Sequence, residues 1–258
     1  MTERTFGFIG GGRITRILLG GLKRAGKVPK NIVVADTNAE ILNKLKTGFE
    51  KVVFTQDNKE AAKQDVVMLA LHPPMIPDVL KYIKDSLKFG SILISLAPKP
   101  PIEMISAMLG GFQRIARLLP GAPSIVNKGY NPVVFSPSFS ESEKDELMSF
   151  FRIFGECFEV AEEKIPAYAV CVTGGPNYLW FQLYELVELG KSFGLSKQEM
   201  ERGIAGMVQG AVATMFDAGL SAEEVMDLIP MKPLGEEEAT IKGIYRSKVE
   251  ELYQRLKS

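Results

Sequence analysis

The chain has 258 residues, of which 46% are hydrophobic and 24% are charged, the proportions of an ordinary globular protein. Its 31 Lys and Arg residues balance its 31 Asp and Glu residues, which argues against a nucleic-acid or anionic-membrane partner. Two cysteines, Cys157 and Cys171, cannot make a disulfide framework, and no apolar stretch approaches the ~20 residues of a transmembrane helix. With no signal-peptide pattern at its start, the sequence predicts a cytoplasmic protein without membrane contact.

The first part of the chain alternates short apolar runs with helical patterns, which is typical of strand–helix–strand units and a parallel sheet. Strands are predicted at residues 5–9, 31–35, 51–54, 65–71, 91–96, 112–119, 131–136 and 157–160. Helices are predicted at residues 13–25, 39–45, 59–62, 75–87, 102–108 and 141–154. Because several strands carry consecutive Val, Ile and Phe residues, we expect helices on both faces of the sheet. The fold class is therefore α/β, with a Rossmann-type doubly wound sheet in a dinucleotide-binding domain over residues 1–162.

After residue 162 the pattern is wholly helical, and we expect an all-helical domain over residues 163–258. Helices are predicted at residues 176–193, from 196 onward, at 222–228 and at 236–256. The helix at 176–193 is apolar around most of its circumference, so it must be buried on several sides. We therefore predict a dimerisation and substrate domain in a homodimer or higher homo-oligomer. The alternative is that these helices cover the sheet domain of their own chain.

The second of these helices has a clear start and an unusual interior. Ser196 is followed three residues later by Glu199, the spacing of a capping box. Gly203, Gly206 and Gly210 lie inside the helix, where each glycine costs about 1 kcal/mol relative to alanine. The glycines thus predict the close approach of another helix.

A glycine-rich turn, Gly10-Gly11-Gly12-Arg13-Ile14-Thr15, joins the first predicted strand to the first helix. Gly10 allows a sharp turn, Gly12 lets the backbone approach a pyrophosphate, and the amides of the helix N-terminus face that anion. Thr15 replaces the usual glycine or alanine but is small enough for the helix to pack on the strand. The pattern predicts a nicotinamide dinucleotide on this turn.

The second predicted strand ends at Asp36, near the ~20-residue spacing expected for a carboxylate on the adenosine ribose. Such a carboxylate accepts hydrogen bonds from the ribose hydroxyls and repels a 2′-phosphate, so NAD is favoured over NADP. The alternative is that Asp36 is a solvated acid at the strand end or the N-cap of the next helix. The cofactor residues predicted here are Gly10, Gly12, Arg13, Ile14, Asp36 and Thr37.

Four segments together resemble the pyrroline-5-carboxylate reductase family over most of the chain. They are the glycine turn, Ala70-Leu71-His72-Pro73 after the fourth strand, Arg117-Leu118-Leu119-Pro120-Gly121-Ala122-Pro123, and Thr173-Gly174-Gly175-Pro176-Asn177-Tyr178. The resemblance implies a reductase that transfers hydride from NAD or NADP to a small-molecule cyclic imine in proline formation.

The resemblance also implies site residues. Ala70, Leu71, His72 and Pro73 would flank the cofactor, although the lone histidine could instead act as a general acid. The residues expected to donate hydrogen bonds to the substrate as catalytic groups are Thr173, Asn177 and Tyr178. The residues expected to shape the substrate cleft are Pro120, Gly121, Asn127, Lys128 and Gly174, with Lys232 as the positive charge for a substrate carboxylate. The alternative for the polar candidates is a role as helix caps or turn residues.

Where the family has a Ser-Pro-Gly-Gly-Thr-Thr loop for the substrate carboxylate, this chain reads Ile229-Pro230-Met231-Lys232-Pro233-Leu234-Gly235-Glu236. Two other functions therefore stay open. One is an NAD(P)-dependent dehydrogenase of another small imine or a 3-hydroxyacid, and the other is a non-catalytic dinucleotide-binding dimer.

Overall fold

The computed structural model describes residues 4–257, in which a single sheet of eight strands organises the N-terminal part. The strands are β1 (Phe6–Ile9), β2 (Ile32–Ala35), β3 (Val53–Thr55), β4 (Val66–Leu69), β5 (Ile92–Ser95), β6 (Ile115–Leu118), β7 (Gly129–Phe135) and β8 (Gly155–Glu159). Their order across the sheet is β3-β2-β1-β4-β5-β6-β7-β8. The strand order reverses between β1 and β4, which is the place where ligands bind in open α/β sheets.

Helices cover both faces of this sheet, as the runs of consecutive apolar residues in the strands predict. They are α1 (Arg13–Arg24), α2 (Ala39–Lys46), α3 (Asn58–Ala62), α4 (Ile76–Ile83), α5 (Ile102–Met108) and α6 (Glu141–Phe151). Because successive strand side chains point to opposite faces, Phe8 packs in the core cluster with Leu18 of α1, whereas Ile9 packs in the cluster with Leu80 of α4. The Rossmann-type doubly wound fold is confirmed.

The last two strands depart from the predicted parallel arrangement. β7 runs antiparallel to β6, and β8, which is parallel to β7, shares this reversed direction. The connection from β6 to β7 holds only a short 3₁₀ turn, Ala122–Val126, and no crossover helix. Because a parallel pair needs a crossover of about a dozen residues or more, this short connection returns the chain in the opposite direction.

The chain divides into two compact units, residues 1–174 with 253–258 and residues 175–252. The predicted boundary after residue 162 lies earlier, and the ends of the predicted domains, residues 1–3 and 258, lie outside the described residues. The segment after residue 162 stays with the first unit because Ile165 and Val170 are buried, and Ile165 packs with Leu119 and Val134. This segment contains helix α7 (Ile165–Tyr168) and a turn of π-helix, Ala169–Thr173.

The second unit is helical, as the sequence predicts. Its helices are α8 (Pro176–Ser192), α9 (Lys197–Asp217), α10 (Ala222–Asp227) and α11 (Glu238–Lys257), the last of which ends in the first unit. The predicted capping box of α9 is confirmed: the Ser196 amide donates to Glu199 Oε2 at 2.8 Å, and the Glu199 amide donates to Ser196 Oγ at 3.2 Å. None of the described helices is long and apolar enough to span a bilayer.

The close helix contact predicted for α9 occurs elsewhere in the chain. Apart from the helix's own backbone, no described heavy atom lies within 4 Å of a Cβ built on Gly203, Gly206 or Gly210. At Gly190 of α8, by contrast, such a Cβ would lie 2.2 Å from Met200 Sδ of α9. Within one chain, the close contact between α8 and α9 is therefore at Gly190, against the Met200 side chain.

Large apolar side chains of the second unit are exposed in the single chain. Phe181 is 69% exposed, Tyr184 72% and Phe216 74%. Large exposed apolar areas on a protein mark surfaces that contact a partner. The helices of this unit thus carry more apolar surface than the chain itself covers.

Candidate functional site

The glycine turn lies at the carboxyl end of β1 and has a conformation that only glycine adopts easily. Gly10 has φ +99°, and a Cβ on it would lie 2.4 Å from the Ala70 carbonyl oxygen. Gly12, by contrast, has no described heavy atom within 4 Å of its Cβ position. The turn is therefore closed on the side of β4 and open at Gly12, where a ligand can approach the backbone.

Thr15 fills the third position of the glycine motif without opening the packing. It is fully buried, and its hydroxyl donates a hydrogen bond to the Gly10 carbonyl oxygen at 2.5 Å. The side chain thus ties the first turn of α1 back to the glycine turn. Thr15 stands where the motif usually has glycine or alanine, and its hydrogen bond to Gly10 accommodates the larger side chain.

Asp36 is bound directly to the glycine turn. Its Oδ2 accepts from the Gly11 amide and its Oδ1 from the Asn38 amide, both at 2.8 Å. The N-cap of α2 is Asn38, whose side chain accepts from the amides of Glu40 and Ile41, so Asp36 is not that cap. The carboxylate therefore stands at the end of β2 beside the open turn.

The segment after β4 forms the opposite wall of the turn. The Ala70 amide donates to the Ile9 carbonyl at 2.8 Å, and a Cβ on Gly10 would lie 3.1 Å from Leu71 Cδ2. His72 is exposed and precedes the 3₁₀ turn that begins at Pro73. The predicted cofactor-flanking segment and the glycine turn are thus neighbours at the carboxyl edge of the sheet.

The remaining predicted cofactor residues lie at the two helix starts that border the turn. Arg13 is exposed and Ile14 half-buried in the first turn of α1, while Thr37 is exposed before α2. The first turn of α1 contains no acidic residue, and its N-cap Gly12 offers no side chain to its free amides. Open space, free amides and a nearby cation suit the pyrophosphate of a dinucleotide, so the residues present fit this cofactor.

Two segments predicted to line the substrate cleft meet within the first unit. Pro120 and Gly121 are buried, and a Cβ on Gly121 would lie 3.6 Å from the Cα and carbonyl oxygen of Thr173. Thr173 ends the π-helix, and the Gly174 amide closes it on the Ala169 carbonyl at 3.0 Å. Single π-turns occur frequently at functional sites.

The loop before β7 has a structural explanation of its own. Asn127 adopts the left-handed conformation with φ 60°, and its side-chain amide donates to the Gly21 carbonyl at 2.9 Å and the Ile153 carbonyl at 2.7 Å. Both amide hydrogens are therefore used to hold α1 and the end of α6 together. Lys128, the next residue, is exposed.

Three of the predicted site residues, Asn177, Tyr178 and Lys232, belong to the second unit. Asn177 is exposed in the first turn of α8, and Tyr178 is half-buried with its ring edge-on to Tyr245 at 5.8 Å between centroids. Lys232 is exposed and lies in a turn, in which its own carbonyl oxygen accepts a hydrogen bond from the Gly235 amide at 2.9 Å.

Sequence reasoning missed two buried polar side chains near this region. Asn131 of β7 accepts from the Gly121 amide at 2.9 Å and from Ser124 Oγ at 3.1 Å, which holds the Pro120–Gly121 turn. Arg117 of β6 is buried and pairs with Glu162. An arginine inside an otherwise apolar strand was the available signal, because a buried guanidinium must find partners.

Comparison with known proteins supports the resemblance that the sequence carries. The family model described as NADP oxidoreductase, coenzyme F420-dependent, matches residues 5–99, which include the glycine turn, Asp36 and the segment after β4. A curated pyrroline-5-carboxylate reductase of Corynebacterium melassecola is 26% identical over 254 residues, covering 97% of this chain and 94% of that protein.

Two solved structures match nearly the whole chain. A pyrroline-5-carboxylate reductase from Coxiella burnetii is 29% identical with a TM-score of 0.69, covering 98% of this chain and 94% of that one. A pyrroline carboxylate reductase from Plasmodium falciparum, with NADP bound, is 21% identical with a TM-score of 0.83, covering 100% of this chain and 98% of that one. The second likeness, at this identity, shows the fold.

Proposed function

We propose that this chain, a divergent member of the pyrroline-5-carboxylate reductase family, is an NAD(P)-dependent reductase of a small cyclic imine. The observation that carries the proposal is the glycine turn at the reversal point of the sheet, closed by Ala70 and open at Gly12. The similarity over nearly the full length extends the proposal from cofactor binding to the substrate class, that of pyrroline-5-carboxylate.

In this proposal the first unit holds the dinucleotide. Gly10, Gly12 and the amides of Arg13 and Ile14 receive the pyrophosphate, because a helix N-terminus presents unpaired N–H groups and a positive dipole end. Ala70, Leu71, His72 and Pro73 form the wall beside it. When bound, the reduced nicotinamide supplies a hydride to the imine carbon.

The protein's own contribution is orientation and a dry site, because a protonated imine is already electrophilic and needs no strong general acid. Buried Pro120 and Gly121, with half-buried Gly174, supply a closely packed wall in the first unit. The hydroxyl of Thr173 donates weakly to main-chain carbonyls at 3.4 and 3.5 Å, so it can turn to a ligand. Asn177, Tyr178, Asn127, Lys128 and Lys232 are further candidates for substrate contact; among them Asn127 has both amide hydrogens engaged.

NAD is the proposed cofactor in preference to NADP. The Asp36 carboxylate lies 2.8 Å from the Gly11 amide at the end of β2, where a 2′-phosphate on the ribose would meet a negative charge. The following residues, Thr37 and Asn38, supply no positive charge to offset it. A carboxylate can instead accept hydrogen bonds from ribose hydroxyls.

The exposed apolar helices of the second unit favour a homodimer or larger homo-oligomer. A partner helix would also account for the open faces at Gly203, Gly206 and Gly210, which no other helix approaches in the described part of one chain. We further propose a cytoplasmic enzyme with a small-molecule substrate and no nucleic-acid or membrane partner.

The decisive experiment measures cofactor binding and turnover separately. We expect NADH to raise the melting temperature, because a ligand at 100 times its Kd stabilises the folded state by about 2.7 kcal/mol. We also expect NADH oxidation with 1-pyrroline-5-carboxylate, measured at 340 nm. Binding without turnover on this imine would contradict the substrate, and the absence of binding to either NADH or NADPH would contradict the whole proposal.

A second candidate is a dehydrogenase of another small imine or a 3-hydroxyacid. It is favoured by the stretch Ile229–Glu236, which contains no hydroxyl side chain for a substrate carboxylate and a single cation, Lys232. Turnover of a cyclic imine without a carboxylate, or of a 3-hydroxyacid, in the absence of turnover with 1-pyrroline-5-carboxylate, would select this candidate. Failure of all three substrates with the cofactor bound leaves the non-catalytic dinucleotide-binding dimer.

A further inference from the structure

The end of β6 contains a buried charged side chain that the proposed reaction does not use. The side chain of Arg117 is 4% exposed and its Nη1 lies 2.6 Å from Glu162 Oε1. Its Nη2 donates to the Pro98 carbonyl at 2.6 Å and more weakly to the Ala97 carbonyl at 3.4 Å. One guanidinium therefore binds both the loop that follows β5 and the segment that follows β8.

Glu162 makes a second connection with the same oxygen. Glu162 Oε1 accepts from the Ile102 amide at 2.8 Å, at the first residue of α5. The preceding residue, Pro101, provides no side-chain cap for this helix. The Arg117–Glu162 pair thus joins β6, the β5–α5 loop and the start of the segment that leads into α7.

Both partners lead along the chain into the two segments proposed to line the substrate cleft. Arg117 is followed by the Pro120–Gly121 turn, while Glu162 begins the segment that ends at Thr173 and Gly174. These segments meet where a Cβ on Gly121 would lie 3.6 Å from Thr173. The pair therefore fixes both segments at their origins, one on each side of their contact.

The stability of the folded protein does not by itself explain why the Arg117–Glu162 pair is present. Buried ion pairs can be replaced by apolar residues of similar volume with little or no loss of stability. Arg117 Nε and the Oγ of Ser95, its register neighbour on β5, are buried without a hydrogen-bond partner among residues 4–257. Arg114 Nε, in the ion pair with Glu143, is likewise buried without such a partner, so this feature is common to both pairs. What distinguishes the Arg117–Glu162 pair is its position at the origin of the two segments that meet at Gly121 and Thr173.

We propose that Arg117 and Glu162 are positioning residues that set the spacing between the Pro120–Gly121 turn and the π-helix that ends at Thr173. The proposal rests on the proposed function of this cleft. The pair holds these segments at the separation that the imine needs, while the dinucleotide turn is held independently by Asp36 and Thr15. Loss of the pair therefore affects the imine more than the cofactor.

The test compares Glu162→Gln and Arg117→Lys with a matched control, Glu143→Gln. Glu143 pairs with Arg114 at 2.7 Å, just before β6, so the control removes the same charge from a similar ion pair elsewhere on the sheet. Each variant is assayed for its melting temperature, the Kd of NADH, and the KM and kcat with 1-pyrroline-5-carboxylate.

We expect Glu162→Gln and Arg117→Lys to raise KM for the imine, or lower kcat, by about tenfold, with the Kd of NADH within about twofold of the wild type. The control should lower the melting temperature but leave KM and kcat unchanged. Equal kinetic changes in the control, or an unchanged KM and kcat in both cleft variants, would overturn the positioning role alone. Wild-type protein that binds NADH but reduces no imine would overturn the proposed function and this role with it.

Discussion

At the scale of single residues, Gly10 and Gly12 have different physical demands although they share one motif. Gly10 is required by the fold, because it has a φ of +99° and because a Cβ on it would lie 2.4 Å from the Ala70 carbonyl oxygen. Gly12, with a φ of −73° and open space beyond it, is not required by the folded chain. Its small size leaves the backbone open to a ligand, as the proposed pyrophosphate site requires.

Two alanine substitutions separate these demands. Gly10→Ala should destabilise the protein by about 1–3 kcal/mol through backbone strain, measured by urea denaturation. Gly12→Ala should lose less than about 1 kcal/mol of stability as an N-cap change yet weaken NADH binding by about tenfold or more. Unchanged NADH affinity in Gly12→Ala would contradict the placement of the pyrophosphate on this turn.

Asp36 allows a charge test that preserves its hydrogen bond to Gly11. Asp36→Asn keeps one oxygen that can accept from the Gly11 amide, while it removes the negative charge and the second oxygen, which accepts from the Asn38 amide. We expect the ratio of NADPH to NADH affinity to rise by about tenfold, the equivalent of about 1.4 kcal/mol. Fluorescence titration with both cofactors measures it, and an unchanged ratio would refute the proposed NAD preference.

Asp65 lies at the amino end of β4, opposite the carboxyl ends of the strands where the glycine turn is, and we expect it to make the stability of the protein sensitive to acid. Hydrogen bonds from the Thr5 amide and from Lys88 lower the pKa of Asp65 from 3.8 to about 2. Because the ionised form is favoured in the folded state, its stabilisation is present above pH ~4 and lost as the pH falls towards 2.

Asp65→Asn should therefore destabilise the protein at neutral pH and reduce the loss of stability between pH 4 and 2. Urea denaturation at several pH values measures this difference, with a substitution at exposed Asp145 of α6, Asp145→Asn, as the control. A parallel pH dependence of wild type and Asp65→Asn would contradict the assignment.

At the scale of elements, local patterns in the sequence predicted most of the fold. Each of the eight strands and the long helices is present, because apolar periodicity, the glycine turn and the Ser196 capping box act over a few residues. The antiparallel β7 was not predicted, since strand direction depends on what the connection can span. The π-helix at Ala169–Thr173 was also missed, because no local pattern distinguishes its hydrogen bonding from that of an α-helix.

The candidate site divides in the same way. The cofactor turn could be predicted because strand, turn and helix are consecutive in the chain. The contact between Gly121 and Thr173 joins residues far apart in sequence, as do the bonds of Arg117 and Asn127, and single-chain patterns carry no record of such pairings. The position of Asp36 lies between these cases, since the spacing predicted its place at the end of β2 but not its hydrogen bond from the Gly11 amide.

The capping boxes of the helical unit give a test at this scale with an internal control. The Ser196 side chain, followed by its backbone amide, lowers the pKa of Glu199, and the backbone amide of Ser221, followed by its side chain, lowers the pKa of Glu224. Ser196→Ala should raise the pKa of Glu199 towards its ordinary value and leave that of Glu224 lowered. Carbon-13 NMR titration of the carboxyl groups measures both, and an unmoved Glu199 would contradict the box as an energetic feature of α9.

At the scale of the whole molecule, the two units differ in how they bury apolar surface. The first unit has a continuous core on both faces of its sheet. In the second unit, Gly190 is the one buried residue among residues 175–252. A helical unit with exposed Phe181, Tyr184 and Phe216 cannot derive its stability from its own core alone, because burial of apolar area is the main favourable term in folding.

This contrast leads to the last prediction, that a second copy of the chain covers these helices. Phe181→Glu and Phe216→Glu should each place a charge in a buried subunit interface and convert a dimer or larger assembly into smaller species, measured by sedimentation velocity. Phe89→Glu is the matched control, because Phe89 is fully exposed in a loop of the first unit. Since the second unit depends on this burial, the two interface variants should also melt at lower temperature and show a concentration-dependent melting temperature. A wild-type monomer at micromolar concentration, or an assembly that all three variants leave intact, would contradict the dimer and leave the apolar helices without a partner of their own kind.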